Sequence, residues 1–364
     1  MNKKVQNIIN KSPELDFEDI YYLLSLEQSE DIEQLRKSAE NLLLKNIGNK
    51  IALRGLIEFS NICKNDCIYC GIRKSNRNFE KFFLSKEEIF TCVDWAKEKQ
   101  FASIVLQSGE RQDEEFINFV IEILNYIKTN TISEKLPDGL GVTLSLGEQS
   151  YEVYKKFFDA GAHRYLLRIE TSNSDLYKLY HPAPLSFENR LNCLKYLKNI
   201  GYQVGTGVLI GLPSQSIEDL SKDILFFKEL DVDMLGMGPF IPHKDTALSN
   251  IIISSNKQLL LGLKMISVAR LTMPDINIAS TTALETLDAN GRTLGLSFGA
   301  NVVMPQLTPV LHKNKYLLYD NKPGIDEQQE FIFEKMQNDL KKIGREIDFN
   351  NWSDSLHFLK KTFI

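Results

Sequence analysis

Cysteine is scarce in this chain and unevenly placed. Five occur in 364 residues, three of them (Cys63, Cys67 and Cys70) fall within eight positions, and none follows Cys193. A disulfide role needs an oxidising compartment, and Met1 to Pro13 carries lysines but no apolar signal-peptide core. Histidine is as sparse, with five in all, none beside the cysteine run. With no second Cys-x2-Cys pair either, a four-ligand zinc site lacks its ligands. No apolar run approaches the ~20 residues that span a bilayer, so a cytoplasmic protein is expected. Positive charge is not in surplus; a net charge of -5 disfavours a nucleic-acid partner. Internal repeats and low-complexity tracts are absent as well.

What is there reads as an ordinary globule, 43% hydrophobic and 25% charged. Its length allows two average domains or one large α/β barrel. Residues 14–48 predict two amphipathic helices, broken near Ser29 and closed at Gly48, expected to cap the barrel floor. Short apolar runs then alternate with helical stretches. Strands are predicted at Leu53–Phe59, Ser103–Gln107, Gly141–Leu146, Arg164–Ile169, Gln203–Leu209, Met234–Met237, Asn277–Ala279 and Ala300–Met304. Helices fit at about 85–99, 114–128, 149–160, 187–200, 216–230 and 256–270, with a shorter one near 286–292. The pattern predicts an α/β fold, a (β/α)8 TIM-type barrel over 49–322, with an N-terminal helical cap over 1–48 and a helical C-terminal extension over 323–364 packed on the barrel. Cys92 and Cys193 sit in helical patterns, where a buried, inert thiol is the default.

Cys63-x3-Cys67-x2-Cys70 follows the first predicted strand directly. A 4Fe-4S cube normally takes four thiolates, so a loop that supplies three leaves one iron open to a ligand from outside the protein. Polar residues also collect at the predicted C-terminal strand ends, where barrel enzymes keep their chemistry. By the two-residue period Thr143 and Ser145 share a face, as do Arg168 and Glu170. Tyr316 and Tyr319 are spaced to share one helical face. His243, in a proline-rich loop, is as readily structural as functional.

The cysteine spacing, with Tyr69 as the aromatic before Cys70, resembles the radical S-adenosylmethionine (SAM) enzymes. That resemblance implies one 4Fe-4S cluster on Cys63, Cys67 and Cys70, with SAM chelating the fourth iron. It also implies reductive cleavage of SAM to a 5'-deoxyadenosyl radical and a reducing electron donor. Ser108-Gly109-Glu110 is similar to the segment that holds the SAM amino group. Glu170 would bond the ribose, Arg190 would pair with the carboxylate, and the Gly211 segment would pack on the adenine; Tyr69 and Ser145 complete the implied SAM site.

Five further stretches, Ile57–Asn61, Leu106–Glu110, Arg164–Arg168 with Glu170, Ser186–Arg190 and Gly238–His243, resemble the HydE family of FeFe-hydrogenase maturases. Membership implies action at sulfur of a cysteine-bound iron carbonyl-cyanide precursor, a small organometallic substrate. It implies the synthase HydG as supplier and the scaffold HydF as acceptor, in assembly of the di-iron site. The family's inner cavity maps onto Arg54, Gln107, Thr143, Arg168, Met234, Thr281, Thr282, Met304, Tyr316 and Tyr319, with Arg54 and Arg168 on a substrate carboxylate. Some members carry a second cluster on C-terminal cysteines; with no cysteine after Cys193, a single cluster is expected here. A methylornithine synthase or biotin-synthase-like enzyme is the nearest alternative, and a non-catalytic iron-sulfur scaffold or electron carrier is the alternative of another class.

Overall fold

Apolar residues at every second position of Lys50–Ser60 build the longest strand of the protein, and the rest of the sheet forms around it. In the computed structural model, which describes residues 2–362, Ile51, Leu53, Ile57 and Phe59 of this strand face the helical layer, while Arg54 and Glu58 face inward. Helices α1 (Lys3–Ile9), α2 (Phe17–Leu24) and α3 (Ser29–Asn46) precede it. Strands β1 (Lys50–Ser60), β2 (Ser103–Ser108), β3 (Gly141–Ser145), β4 (Arg164–Leu166), β5 (Gln203–Thr206), β6 (Met234–Leu235), β7 (Asn277–Ile278) and β8 (Val302–Val303) are all parallel. Between them run α4 (Lys86–Glu98), α5 (Glu114–Asn130), α6 (Tyr151–Asp159), α7 (Ser174–Tyr180), α8 (Phe187–Ile200), α9 (Ile217–Leu230), α10 (Ser255–Thr272), α11 (Thr282–Leu287) and α12 (Gly291–Ser297). Helices α13 (Val310–Lys313), α14 (Gln329–Lys342) and α15 (Leu356–Thr362) follow β8, and between the last two Glu346–Ile347 pairs in parallel with Lys50–Ile51 of β1.

The strands pair in sequence order and β8 returns to β1, which is a (β/α)8 arrangement. Between β7 and β8 the ring closes through a single bridge, Ala279 to Val302, with Ser280 N–H donating to the Val302 carbonyl at 2.9 Å. That seam is the weakest ladder in the wall. Strands β4 to β8 are shorter than the sequence predicts. Past β5 and β6 the chain pairs again as Leu209–Ile210 with Gly238–Pro239, because Gly207 and Gly236 pack backbone to backbone between the two ladders. A Cβ on Gly207 would lie 2.3 Å from the Gly236 carbonyl oxygen.

Three expectations change. The N-terminal helices do not cap the floor: α2 and α3 pack on α9, α10 and α12 at the side of the barrel. The floor is closed instead by residues 352–355 of the C-terminal extension, which are not helical. Ser103 Oγ donates to the Trp352 carbonyl (3.2 Å), Asn277 Nδ2 to the Ser353 carbonyl (2.8 Å), and Ser355 N–H to Gln203 Oε1 (3.0 Å). Arg164, fully buried, reaches Asp354 with its Nε at 3.1 Å. Burial alone would raise the Asp354 carboxyl, but the Arg164 guanidinium outweighs it and holds the group far below the usual carboxylate range. Finally, the helix expected near 286–292 is two helices, broken over 288–290, and Gly291 opens the second where a Cβ would meet the Leu284 carbonyl at 2.0 Å.

Candidate functional site

At the end of β1 a register shift between Glu58 and Ser60 turns the chain out of the sheet and into the cysteine loop. Asn61, fully buried, anchors the turn. Its Nδ2 donates to the carbonyls of Glu80 (2.8 Å) and Lys315 (2.7 Å), and its Oδ1 accepts from Phe82 N–H (2.9 Å). Further along, Lys64 N–H donates to the Glu110 carbonyl and Ile68 N–H to the Tyr180 carbonyl. The loop is therefore held from both sides before any ligand is added.

All three thiols are free and half-buried, and Cys92 and Cys193 are buried as expected. Burial raises each loop thiol above its ordinary range, Cys70 to about 12. A neutral, partly desolvated thiol is a poor nucleophile, but it ionises when a metal takes the sulfur. Among the described residues no three Cys, His, Asp or Glu side chains converge on one metal ion. A single ion demands ligands within ~2.3 Å of one point, whereas a cube offers a separate iron to each thiolate.

Glycines shape the wall beside this loop. A Cβ on Gly109 would sit 2.5 Å from the Ile62 carbonyl oxygen and 2.9 Å from Cys63 Cβ; one on Gly71 would meet the Leu317 carbonyl at 2.1 Å. Main chain from three segments is thereby packed directly against the cysteines. Tyr69 turns its hydroxyl to His181 Nε2 (3.0 Å). Burial holds the His181 imidazole down to about 4, so it stays neutral. His243 is buried against Gly71, its Nδ1 accepting from Asp245 N–H at 3.1 Å, a structural contact.

Around the mouth the polar residues picked from sequence meet in two sets. Glu110 accepts from Glu148 N–H (2.9 Å), and Glu148 in turn takes Arg190 Nε at 2.6 Å. Arg190 NH1 donates to the Arg168 carbonyl (2.6 Å), which leaves NH2 for anything further. Glu148 was not among the expected site residues; its partner lies 42 positions away, beyond any local pattern. In the second set, Glu170 lies 3.0 Å from Arg168 NH2, and Arg168 NH2 also donates to the Val208 carbonyl. Glu170 has φ of 66°, left-handed for a residue with a side chain, a strain of ~1–3 kcal/mol that clusters at functional positions. Burial pushes its carboxyl up, against Arg168 and Arg190.

Deeper in the lumen the expected residues also converge. Arg54 NH1 faces Met234 Sδ (3.0 Å), and Gln107 Nε2 faces the Tyr316 hydroxyl (3.4 Å). Buried polar atoms there stand without a partner: Arg54 Nε, Thr143 Oγ1, Arg168 Nε and Thr281 Oγ1. Each orphan costs ~1–3 kcal/mol unless a ligand or water meets it, so the lumen is built to be filled. Met304 packs against Ala52, Ala279 and Val302 at the β7–β8 seam, and Thr282 shares with it the lining of a crevice beside β8. Tyr316 and Tyr319 do reach the site, but not along a helix: α13 ends at Lys313 and they ride an irregular segment. That segment is pinned by a buried pair missed in sequence, Glu58 with Lys322 Nζ at 2.6 and 2.7 Å. Ser108 spends its hydroxyl on the Gly109 carbonyl (2.8 Å), Ser145 is half-buried at the end of β3, and Gly211 (φ 77°) packs under Gln258 of α10.

Comparison with known proteins accords with this geometry. Residues 57–227 match the sequence model of the radical SAM superfamily. The chain is 42% identical over 313 residues to the [FeFe] hydrogenase maturase subunit HydE of Thermotoga maritima, covering 86% of each chain. It is 30% identical to the 3-methylornithine synthase of Methanosarcina acetivorans, over 80% of this chain and 79% of that one. The crystal structure of methylornithine synthase (PylB) superposes with a TM-score of 0.79 at 26% identity, covering 96% of this chain and 98% of the other.

Proposed function

From the premise that this chain belongs to the HydE family of radical SAM enzymes, we propose that it cleaves SAM reductively and uses the radical at sulfur of a cysteine-bound iron carbonyl-cyanide precursor during FeFe-hydrogenase maturation. The single observation that carries the reading is the trio of free thiols on a pre-anchored loop above a lumen of unpartnered polar atoms. Bound there, a 4Fe-4S cluster and SAM supply the carbon radical; the protein's part is to hold, orient and exclude water. Cys63, Cys67 and Cys70 are the cluster ligands in this reading.

The other residues divide the work by position. Main chain at Ser108 and Gly109, with Glu110, lines the side of the cysteine loop where a SAM amino group would seek acceptors, and Tyr69 and Ser145 border it. Glu170 accepts from hydroxyls, and Arg190 NH2 stays available to a carboxylate. Gly211, whose Cβ position Gln258 occupies, would offer main chain to an aromatic ring. Arg54 and Arg168 hold an anionic substrate, since each keeps an Nε without a protein partner. Gln107, Thr143, Met234, Thr281, Thr282, Met304, Tyr316 and Tyr319 shape the rest of the cavity. HydG as supplier, HydF as acceptor and a low-potential electron donor are the partners this reading requires, in the cytoplasm.

A methylornithine synthase reading is supported by the 30% relative, and the 42% relative outweighs it. Anaerobic turnover decides between them. The proposal expects SAM-dependent deoxyadenosine with the iron precursor and none of the lysine rearranged; rearranged lysine would assign the chain to the other activity.

A further inference from the structure

The barrel has a side crevice that the chemistry above does not use. It runs over the outer face of β8, between α12 and α14, with a volume of about 70 Å³. Its inner end is lined by Leu56, Thr282, Met304 and Gln306, residues of the lumen rim. Its outer end is lined by Thr293 of α12 and by Ile332 and Lys335 of α14. The lining reaches the lumen set: Gln306 Nε2 donates to the Glu58 carboxylate, which also takes Lys322, Lys322 lies over the Tyr316 ring, and Met304 packs on Ala279 and Val302 of the lone bridge. An ionic clasp spans the passage: Glu285 takes Arg292 NH2 at 2.8 Å and Lys335 Nζ at 3.1 Å, tying α11, α12 and α14 together. Arg292 NH2 also donates to Thr282 Oγ1 at 3.3 Å, so the clasp touches the lumen rim directly.

The other two ends of the barrel are taken. Residues 352–355 bond across the floor, and, on the reading proposed above, the cluster and SAM fill the mouth. We propose that this crevice is a side portal, clasped by Glu285, through which water and small polar fragments of a few heavy atoms pass while SAM closes the mouth. Its size sets the class of passenger. At ~15 Å³ of such space per water it holds about five waters, too little for SAM or an iron complex. The larger ligands therefore use the mouth, and the portal serves what the reaction releases or must exclude.

The test uses the reconstituted holoenzyme carrying Met304→Cys, exposed without thiol reductant to methyl methanethiosulfonate, with modification followed by mass spectrometry. The unsubstituted holoenzyme reports background from the five natural cysteines. The portal predicts labelling at a rate that saturating SAM leaves unchanged. Thr293→Trp or Ile332→Trp, on opposite walls, should slow it several-fold, and Glu285→Gln should speed it. Visible absorption of the cluster verifies that each variant is folded, and either tryptophan alone suffices. Labelling abolished by SAM and indifferent to both tryptophans would place access at the mouth and overturn the proposal, as would no labelling at all. If the SAM reading itself fails, the cluster spectrum will not respond to SAM, while the contrast between tryptophan variants and parent still reads the portal.

Discussion

Asp354→Asn tests how the barrel floor is held. Arg164 is fully buried at the start of β4, and its side chain meets the carboxylate of Asp354, with Nε at 3.1 Å. At that separation and an effective dielectric near 20, the attraction is about 5 kcal/mol. The asparagine keeps the shape and removes the charge, leaving a guanidinium in the interior with no anion opposite it; one-sided loss of a buried pair costs ~3–5 kcal/mol. Arg54 lies close enough for the two guanidinium groups to repel, which adds to the cost. The sign with pH follows from the depressed carboxyl: the stabilisation is complete above the unfolded pKa of ~3.9 and fades as pH falls toward the folded value. Urea denaturation at pH 7 of parent, Asp354→Asn, Arg164→Met and the double variant gives the coupling directly. The double variant should recover much of the loss, because it removes both charges together. A single-variant loss below ~1 kcal/mol, or strict additivity in the cycle, would refute the claim that this pair closes the floor.

Cys67→Ser should abolish the visible absorption of the reconstituted cluster and all deoxyadenosine formation; retained cleavage would count against the thiolate assignment. Gly109→Val should lose the cluster too, since its Cβ would sit 2.5 Å from the Ile62 carbonyl oxygen, and iron analysis would show it. Glu170→Ala should leave cluster absorption intact and weaken SAM binding by about ten- to a hundredfold, from the ~1.5–3 kcal/mol of one hydrogen bond to a charged group, read by equilibrium titration. The parent should bind about four irons per chain, as one cube requires; about eight would contradict the single-cluster expectation.

Local chemistry was legible in the sequence wherever its pattern is itself local. The cysteine spacing, the runs that became β1 to β3 and the amphipathic stretches α2 and α3 all declare themselves within a few residues. An apolar stripe says that a helix face is buried without saying against what, so it does not distinguish the floor from the side of the barrel, where α2 and α3 lie. The true floor escaped notice because Trp352 to Ser355 have no periodicity, and Arg164 and Asp354 are 190 positions apart. Tyr316 and Tyr319 have helical spacing by coincidence; the buried Glu58–Lys322 pair, not a helix, brings them over the lumen. Glu148 and Arg190 likewise needed the fold to meet.

One titration bears on the whole account. Anaerobically reconstituted, reduced protein should show a cluster spectrum that changes saturably as SAM is added, because the loop leaves one iron for it. An unchanged spectrum at every SAM concentration would mean that the fourth iron is not where SAM binds, and the account would fall.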